Sequence, residues 1–160
     1  ANDCGGAYAT VGNAGQTMNV VSYTPEHLRQ VDLQGAQAYL SDWVTPDMAA
    51  ALENETWSFT AMQDNGVPLG CAGVLNMWQG RGIAWAYLSK YAAEEKFLQV
   101  HRAVLRFLDA CYLQRIEMTV DCEFEQGHRW AKMLGFTMEA ERMRAYRPDG
   151  GDVALYARVL

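Results

Sequence analysis

The sequence contains no apolar run approaching the ~20 residues that a membrane-spanning helix requires, so no membrane partner is expected. It has no excess of positive charge either. Thirteen Lys and Arg stand against 19 Asp and Glu, a formal net charge of −6. A surface that binds a phosphate backbone wants the opposite balance, so nucleic acid is not among the expected partners. Cysteine is sparse: Cys4, Cys71, Cys111 and Cys122 show no C-x-x-C and no metal-type spacing to histidine. No metal is expected, and the thiols read as reduced, mostly buried side chains of a cytosolic protein. The first residues lack the basic head and apolar core of a signal peptide, which again points to the cytoplasm.

What is present is enough for one real core. Half of the 160 residues are hydrophobic, and a chain of this size buries roughly two thirds of its unfolded surface. Residues 1–17 are mostly Gly, Ala, Asn and Thr with little to bury, and read as an N-terminal arm. Gly5, Gly6, Gly12 and Gly15 imitate a phosphate loop, but they follow no strand and open no helix. An ordered arm would lie on the domain surface or on a partner, which makes it a route to a homo-oligomer or a larger assembly. Residues 18–160 read as a single domain.

Within that domain, Met18–Tyr23 reads as a strand. Thr24-Pro25-Glu26 starts a helix: a Thr cap, Pro at the first position, an acid in the first turn. That helix carries Leu28, Val31 and Leu33. Ala36–Trp43 is either a helical turn or a loop. Thr45-Pro46-Asp47 repeats the start signal for a helix through Leu52. Trp57–Gln63 alternates as a strand, Asp64-Asn65-Gly66 turns, and Pro68–Trp78 returns. After a second turn at Gln79–Gly82, Ile83–Leu88 is a fourth strand. A long helix over Glu94–Cys111 places Phe97, Val100, Val104, Leu108 and Cys111 on one stripe. Arg115–Asp121 alternates as a fifth strand, Glu125–Leu134 is a short helix closed by Gly135, and Phe136–Tyr146 and Val153–Val159 are the last strands. A strand, a crossover helix and a strand over Ile83–Asp121 make one parallel βαβ unit, and the other contacts read as antiparallel.

The resulting order, β-α-α-β-β-β-α-β-α-β-β, resembles that of the GNAT superfamily of N-acetyltransferases over Met18–Leu160. Arg115–Asp121 followed by His128-Arg-Trp-Ala-Lys-Met-Leu-Gly-Phe136 carries the resemblance most specifically. The latter segment is also similar to GNAT-like proteins of tailed phages, including internal virion proteins. The resemblance implies an α+β fold with a mixed, mostly antiparallel sheet of about seven strands and flanking helices. It implies acetyl-CoA or CoA as the donor, an amine as the acceptor, and a location in host cytoplasm or virion if a phage encodes it. In the family the pantetheine arm lies between splayed strands four and five, and the pyrophosphate sits on N–H groups at the following helix start. The matching positions here are Leu88, Ser89, Lys90, Ala92, Ala93 and Lys96.

Two departures set the alternatives. The family's Gln/Arg-x-x-Gly-x-Gly/Ala loop corresponds to Lys90–Lys96, which has no glycine and carries Glu94 and Glu95. The tyrosine acid four residues before the Gly of Gly-Phe corresponds to Ala131; Tyr87, or Tyr91, is the substitute by proximity. Glu117 and Asp121 are the candidate bases, against the competing reading of a solvated strand face. His101 and His128 are weaker candidates, each reading better as a surface helix residue. Arg142, Arg144 and Arg147 read as a solvated strand edge. The expected function is therefore acyl transfer from acetyl-CoA to an amine. The alternative is a non-catalytic GNAT-fold structural or interaction protein, such as a phage particle component.

Overall fold

The computed structural model describes residues 18–160; the Gly-rich arm, Cys4 included, lies outside them. Seven strands are present: β1 Met18–Ser22, β2 Thr56–Gln63, β3 Pro68–Trp78, β4 Arg81–Leu88, β5 Arg115–Asp121, β6 Thr137–Met143 and β7 Val153–Val159. The helices are α1 Pro25–Gln30, α2 Pro46–Glu55, α3 Lys90–Glu94, α4 Phe97–Ala110 and α5 Glu125–Met133, with a 3-10 segment at Gly35–Asp42. The strands form one open sheet in the order β1-β2-β3-β4-β5-β7-β6. β1–β2, β2–β3, β5–β7 and β6–β7 pair antiparallel, and β4–β5 pair parallel. This is the mixed, mostly antiparallel α+β architecture that the order of elements predicts. Contacts group the described chain into two compact units, residues 18–75 with Trp85–Tyr112, and Asn76–Ala84 with Leu113–Leu160.

In the first unit the start signals act as read. Pro25 opens α1, and the Thr24 N–H donates to His27 Nδ1 at 3.3 Å. The Met48 N–H donates to Thr45 Oγ1 at 3.2 Å, capping α2. α1 is shorter than expected, because Val31 is already extended (φ −72°, ψ 119°) and Leu33 bridges to Ser89. The core here is Tyr23, Leu28, Val31, Ala49 and Cys71, with Leu33, Val44, Leu52, Trp85 and Tyr87 packed against it.

The helix expected over Glu94–Cys111 is shortened to Phe97–Ala110, and a separate short helix, α3, precedes it where a turn was expected. α3 ends at Glu94, and α4 starts afresh at Phe97 after Lys96 leaves helical geometry (φ −116°, ψ 10°). Ala92 is buried, as are Val100, Leu108 and Cys111 on the α4 stripe. In one continuous helix, at about 100° per residue, Ala92 would sit about 140° around from Phe97. The break lets both the alanine and the stripe face inward.

In the second unit, β7 lies between β5 and β6 and is buried on both faces: Val153, Ala154, Tyr156 and Ala157 are all under 4 % exposed. α5 ends as Gly135 implies. Gly135 has φ +84°, its N–H donates to Lys132 O, and the Phe136 N–H donates to Ala131 O, each at 3.0 Å. Those are the two bonds of a Schellman cap. β6 stops at Met143, short of the expected Tyr146; its pairing with β7 already shifts register twice. The parallel ladder of β4 and β5 has rungs at Arg81–Arg115, Gly82–Ile116 and Ile83–Glu117, and ends there although β4 continues to Leu88.

Candidate functional site

Of the site residues predicted from sequence, Tyr87 and Leu88 close β4, and Ser89, Lys90, Ala92, Ala93 and Lys96 follow it directly. The approach of β4 to β3 is close. A Cβ on Gly70 would lie 2.7 Å from the Tyr87 carbonyl oxygen and 2.8 Å from Leu88 Cδ2, so only glycine fits there. The Ser89 N–H donates to Leu69 O at 2.8 Å, which fixes which edge faces β3. Main-chain groups alternate along a strand, so Ala86 and Leu88 present theirs on the other edge. There the Leu88 N–H donates to Gln37 Oε1 at 3.0 Å, and Gln37 Nε2 donates to Ala86 O at 2.7 Å. The Gln34 N–H donates to Leu88 O at 2.9 Å. These groups are answered by a side chain and a loop.

The turn into α3 is closed on itself. Ser89 Oγ accepts from the Ala92 N–H at 3.0 Å, the Lys90 N–H donates to Asp32 O at 3.2 Å, and the Ala93 N–H donates to Ser89 O at 3.1 Å. These donors of the helix start are therefore spent inside the chain, where an anion would otherwise take them. Lys90 Nζ is 3.9 Å from Asp32 Oδ1, with both side chains exposed. Glu94 and Glu95 are exposed. Leu88, Ser89, Lys90, Ala92, Ala93 and Lys96 thus form one contiguous stretch, with Leu88, Ser89 and Ala92 buried.

Tyr87 leans on Trp85, ring centroids 5.5 Å apart, and Trp85 meets Tyr23 edge-on at 5.7 Å. Burial, with a smaller push from Tyr39, raises the Tyr87 phenol to about 12. It keeps its proton at neutral pH, and the same burial makes it a weaker acid than a free phenol. Cys71, in the same core, is pushed up to about 11 by burial and is an unreactive thiol.

Glu117 and Asp121 lie in the second unit, and both are occupied. Arg81 Nε and Nη2 donate to the two Glu117 oxygens at 3.0 and 2.7 Å, and Arg115 Nε adds a bond at 2.6 Å. The Glu117 side chain is only 13 % exposed, so it is not the solvated face of the competing reading. The bond from Arg81, then that from Arg115, hold its carboxyl down at about 2 against the cost of burial. A carboxylate so held is a poor proton acceptor near neutral pH. Asp121 pairs with Arg147 and accepts from the Glu123 N–H at 2.9 Å.

Sequence reasoning missed three things. Gln37 sits in a 3-10 segment with no periodic pattern, and nothing marks it. Gly70 left a usable signal, since glycine inside a strand marks close backbone approach. His128 reads as a surface helix residue, yet its Nε2 lies 3.0 Å from Cys122 O and its Nδ1 2.7 Å from the hydroxyl of fully buried Tyr156. A carbonyl only accepts, so Nε2 carries a proton, and in the neutral ring the tyrosine donates to Nδ1. His101 stacks on Phe97. Arg142 reaches Asp152 at 2.6 Å, and Arg147 pairs with Asp149 as well as Asp121, so that expected solvated edge is largely ion-paired. Among the described residues no group of three or more His, Cys, Asp or Glu is placed to hold a metal ion. No described helix is long and apolar enough to cross a membrane.

The fold that carries this site is the fold of the GNAT acetyltransferases. The chain is similar to the ribosomal-protein-S5-alanine acetyltransferase from Vibrio fischeri at 15 % identity and TM-score 0.66, covering 94 % of this chain and 96 % of that one. It is similar to an acetyltransferase of the GNAT family from Streptococcus pneumoniae at 15 % identity and TM-score 0.66, covering 89 % and 99 %. It is also similar to a GNAT superfamily phosphinothricin acetyltransferase from Sinorhizobium meliloti in complex with AcCoA, at 16 % identity and TM-score 0.66, covering 89 % and 88 %. At these identities the likeness is one of fold. No family model and no curated protein sequence matches the chain.

Proposed function

We propose that the protein is a GNAT-type N-acyltransferase that takes its acyl group from acetyl-CoA and passes it to an amine. The observation that carries the reading is the far edge of β4. The Ala86 carbonyl and the Leu88 N–H stand outside the strand ladder and accept an amide as partner. Pantetheine offers secondary amides suited to such an edge. The donor supplies an activated thioester: the amine nitrogen bonds to the carbonyl carbon and gives up a proton to solvent water, the carbon–sulfur bond breaks, and the departing thiolate takes a proton. Tyr87, which keeps its proton at neutral pH, is the acid assigned to it. Glu117 and Asp121, proposed as bases from sequence, are given an anchoring part instead, because guanidinium groups hold both. Lys90 and Lys96 are the cations of this stretch that would meet the donor's phosphates.

Titration calorimetry with acetyl-CoA and CoA tests the reading. Binding in the micromolar range supports it, followed by transfer to a panel of amines. Absence of binding at millimolar ligand removes it. Tyr87→Phe should lower kcat about 10-fold or more while leaving the dissociation constant of acetyl-CoA near that of the native protein.

A second reading is favoured by α3, where Ser89 caps the Ala92 N–H at one end and Glu94 and Glu95 stand exposed at the other. Here the GNAT fold serves as a non-catalytic scaffold that binds another protein, a phage particle component being one such case. Copurification with a defined partner, together with no acetyl-CoA binding, selects it.

A further inference from the structure

We propose that Gln37 is an internal latch on the donor site, occupying the β4 edge until an acyl donor displaces it. The latch rests on acetyl-CoA being the donor. A carboxamide carries an acceptor and a donor in one plane, as a peptide group does. Its two bonds, 3.0 Å from the Leu88 N–H and 2.7 Å to Ala86 O, reach residues two apart on one strand edge. That is how a neighbouring strand would engage them. Gln37 is therefore a one-residue stand-in for an extended amide chain, and the two cannot hold the same groups at once.

The segment that carries the latch is suited to moving. Gly35–Asp42 is a 3-10 turn with no buried residue. A Cβ on Gly35 would meet nothing within 4 Å. Gln34 reinforces the latched state, its Nε2 donating to Gln37 Oε1 at 3.1 Å and its backbone N–H to Leu88 O at 2.9 Å. An arriving pantetheine amide exchanges these bonds for its own, and the latch lowers the apparent affinity by the cost of its release.

The test uses Gln37→Ala and Gln37→Glu in the full chain. The alanine variant removes both bonds to β4. The glutamate variant keeps the size and the acceptor for the Leu88 N–H but loses the donor to Ala86 O. Hydrogen exchange at the Leu88 amide is read first, then acetyl-CoA affinity by calorimetry. The latch requires faster Leu88 exchange in Gln37→Ala and a smaller rise in Gln37→Glu. It also requires acetyl-CoA binding about tenfold tighter in Gln37→Ala, the size expected when roughly two net hydrogen bonds no longer have to be displaced. Unchanged or weaker binding in Gln37→Ala, with the native protein binding acetyl-CoA, overturns the latch and leaves the donor assignment standing. No binding by any of the three proteins overturns the donor assignment, and the latch with it. Unchanged Leu88 exchange in Gln37→Ala overturns the latch whatever the ligand does.

Discussion

Glu117 is the residue whose chemistry is most constrained. Its folded-state carboxyl is held at about 2, below the ordinary glutamate value of 4.5, by the bond from Arg81 first and Arg115 next. A depressed carboxyl contributes stability that is fully present above the unfolded value and lost as pH falls through the folded one. The window is thus pH 4.5 down to about 2. Glu117→Gln removes the charge between two guanidiniums and should cost about 1.5–3 kcal/mol at pH 7, the range for hydrogen bonds to charged groups. Urea unfolding at pH 7 and at pH 3 checks this: the difference between native and variant should shrink at the lower pH. Glu139, also lowered by Arg115, contributes to the native slope, so the informative quantity is the difference between the two proteins.

At the scale of elements, two glycines make opposite demands. Gly135 has room for a Cβ, its nearest neighbour being Arg158 Nε at 3.6 Å, but φ is +84°. Gly135→Ala should therefore cost about 1 kcal/mol of backbone strain, seen as a lower urea midpoint with an unchanged slope. Gly70 has no room, because its Cβ would strike the Tyr87 carbonyl, which cannot move as a side-chain tip can. Gly70→Ala should cost more than Gly135→Ala and, unlike it, weaken acetyl-CoA binding by displacing Tyr87 and Leu88. Calorimetry on the two variants separates these effects.

The same scale shows what was legible. β3, β5 and β7 match their expected limits to the residue, because turn glycines flank β3 and precede β7 and alternation marks β5 and β7. The α3–α4 break carries no Gly or Pro. It follows from where Ala92 and Phe97 must face, which is a tertiary demand. Much the same holds for the site: the run Leu88–Lys96 could be placed from the order of elements. The bonds from Gln37 to β4 and from Tyr156 to His128 join residues far apart in sequence, and local pattern does not encode them.

At the scale of the whole molecule, charge decides how the polyanionic donor of the proposed reaction would be met. The chain carries −6, and Glu94 and Glu95 stand exposed at the C-terminal end of α3, about one turn beyond a helix start whose donors at Ala92 and Ala93 are already used. Lys90 and Lys96 offset part of that field. The phosphates of CoA should then add little to binding, and the amide-bearing arm should supply most of it. Phosphate-free pantetheine is expected to bind within about fivefold of CoA, a difference under roughly 1 kcal/mol. Adenosine 3′,5′-bisphosphate at millimolar concentration is expected to leave the melting temperature unchanged, whereas acetyl-CoA at about 100 times its dissociation constant should add about 2.7 kcal/mol. For a chain of this length that is a rise of roughly 5–10 °C. Salt gives the sign. A basic phosphate site loses affinity as salt rises, but net repulsion is screened, so CoA should bind more tightly at about 0.5 M salt than at about 0.05 M. Weaker binding at high salt would mean that Lys90 and Lys96, or the N–H groups of an opened α3 turn, hold the phosphates after all.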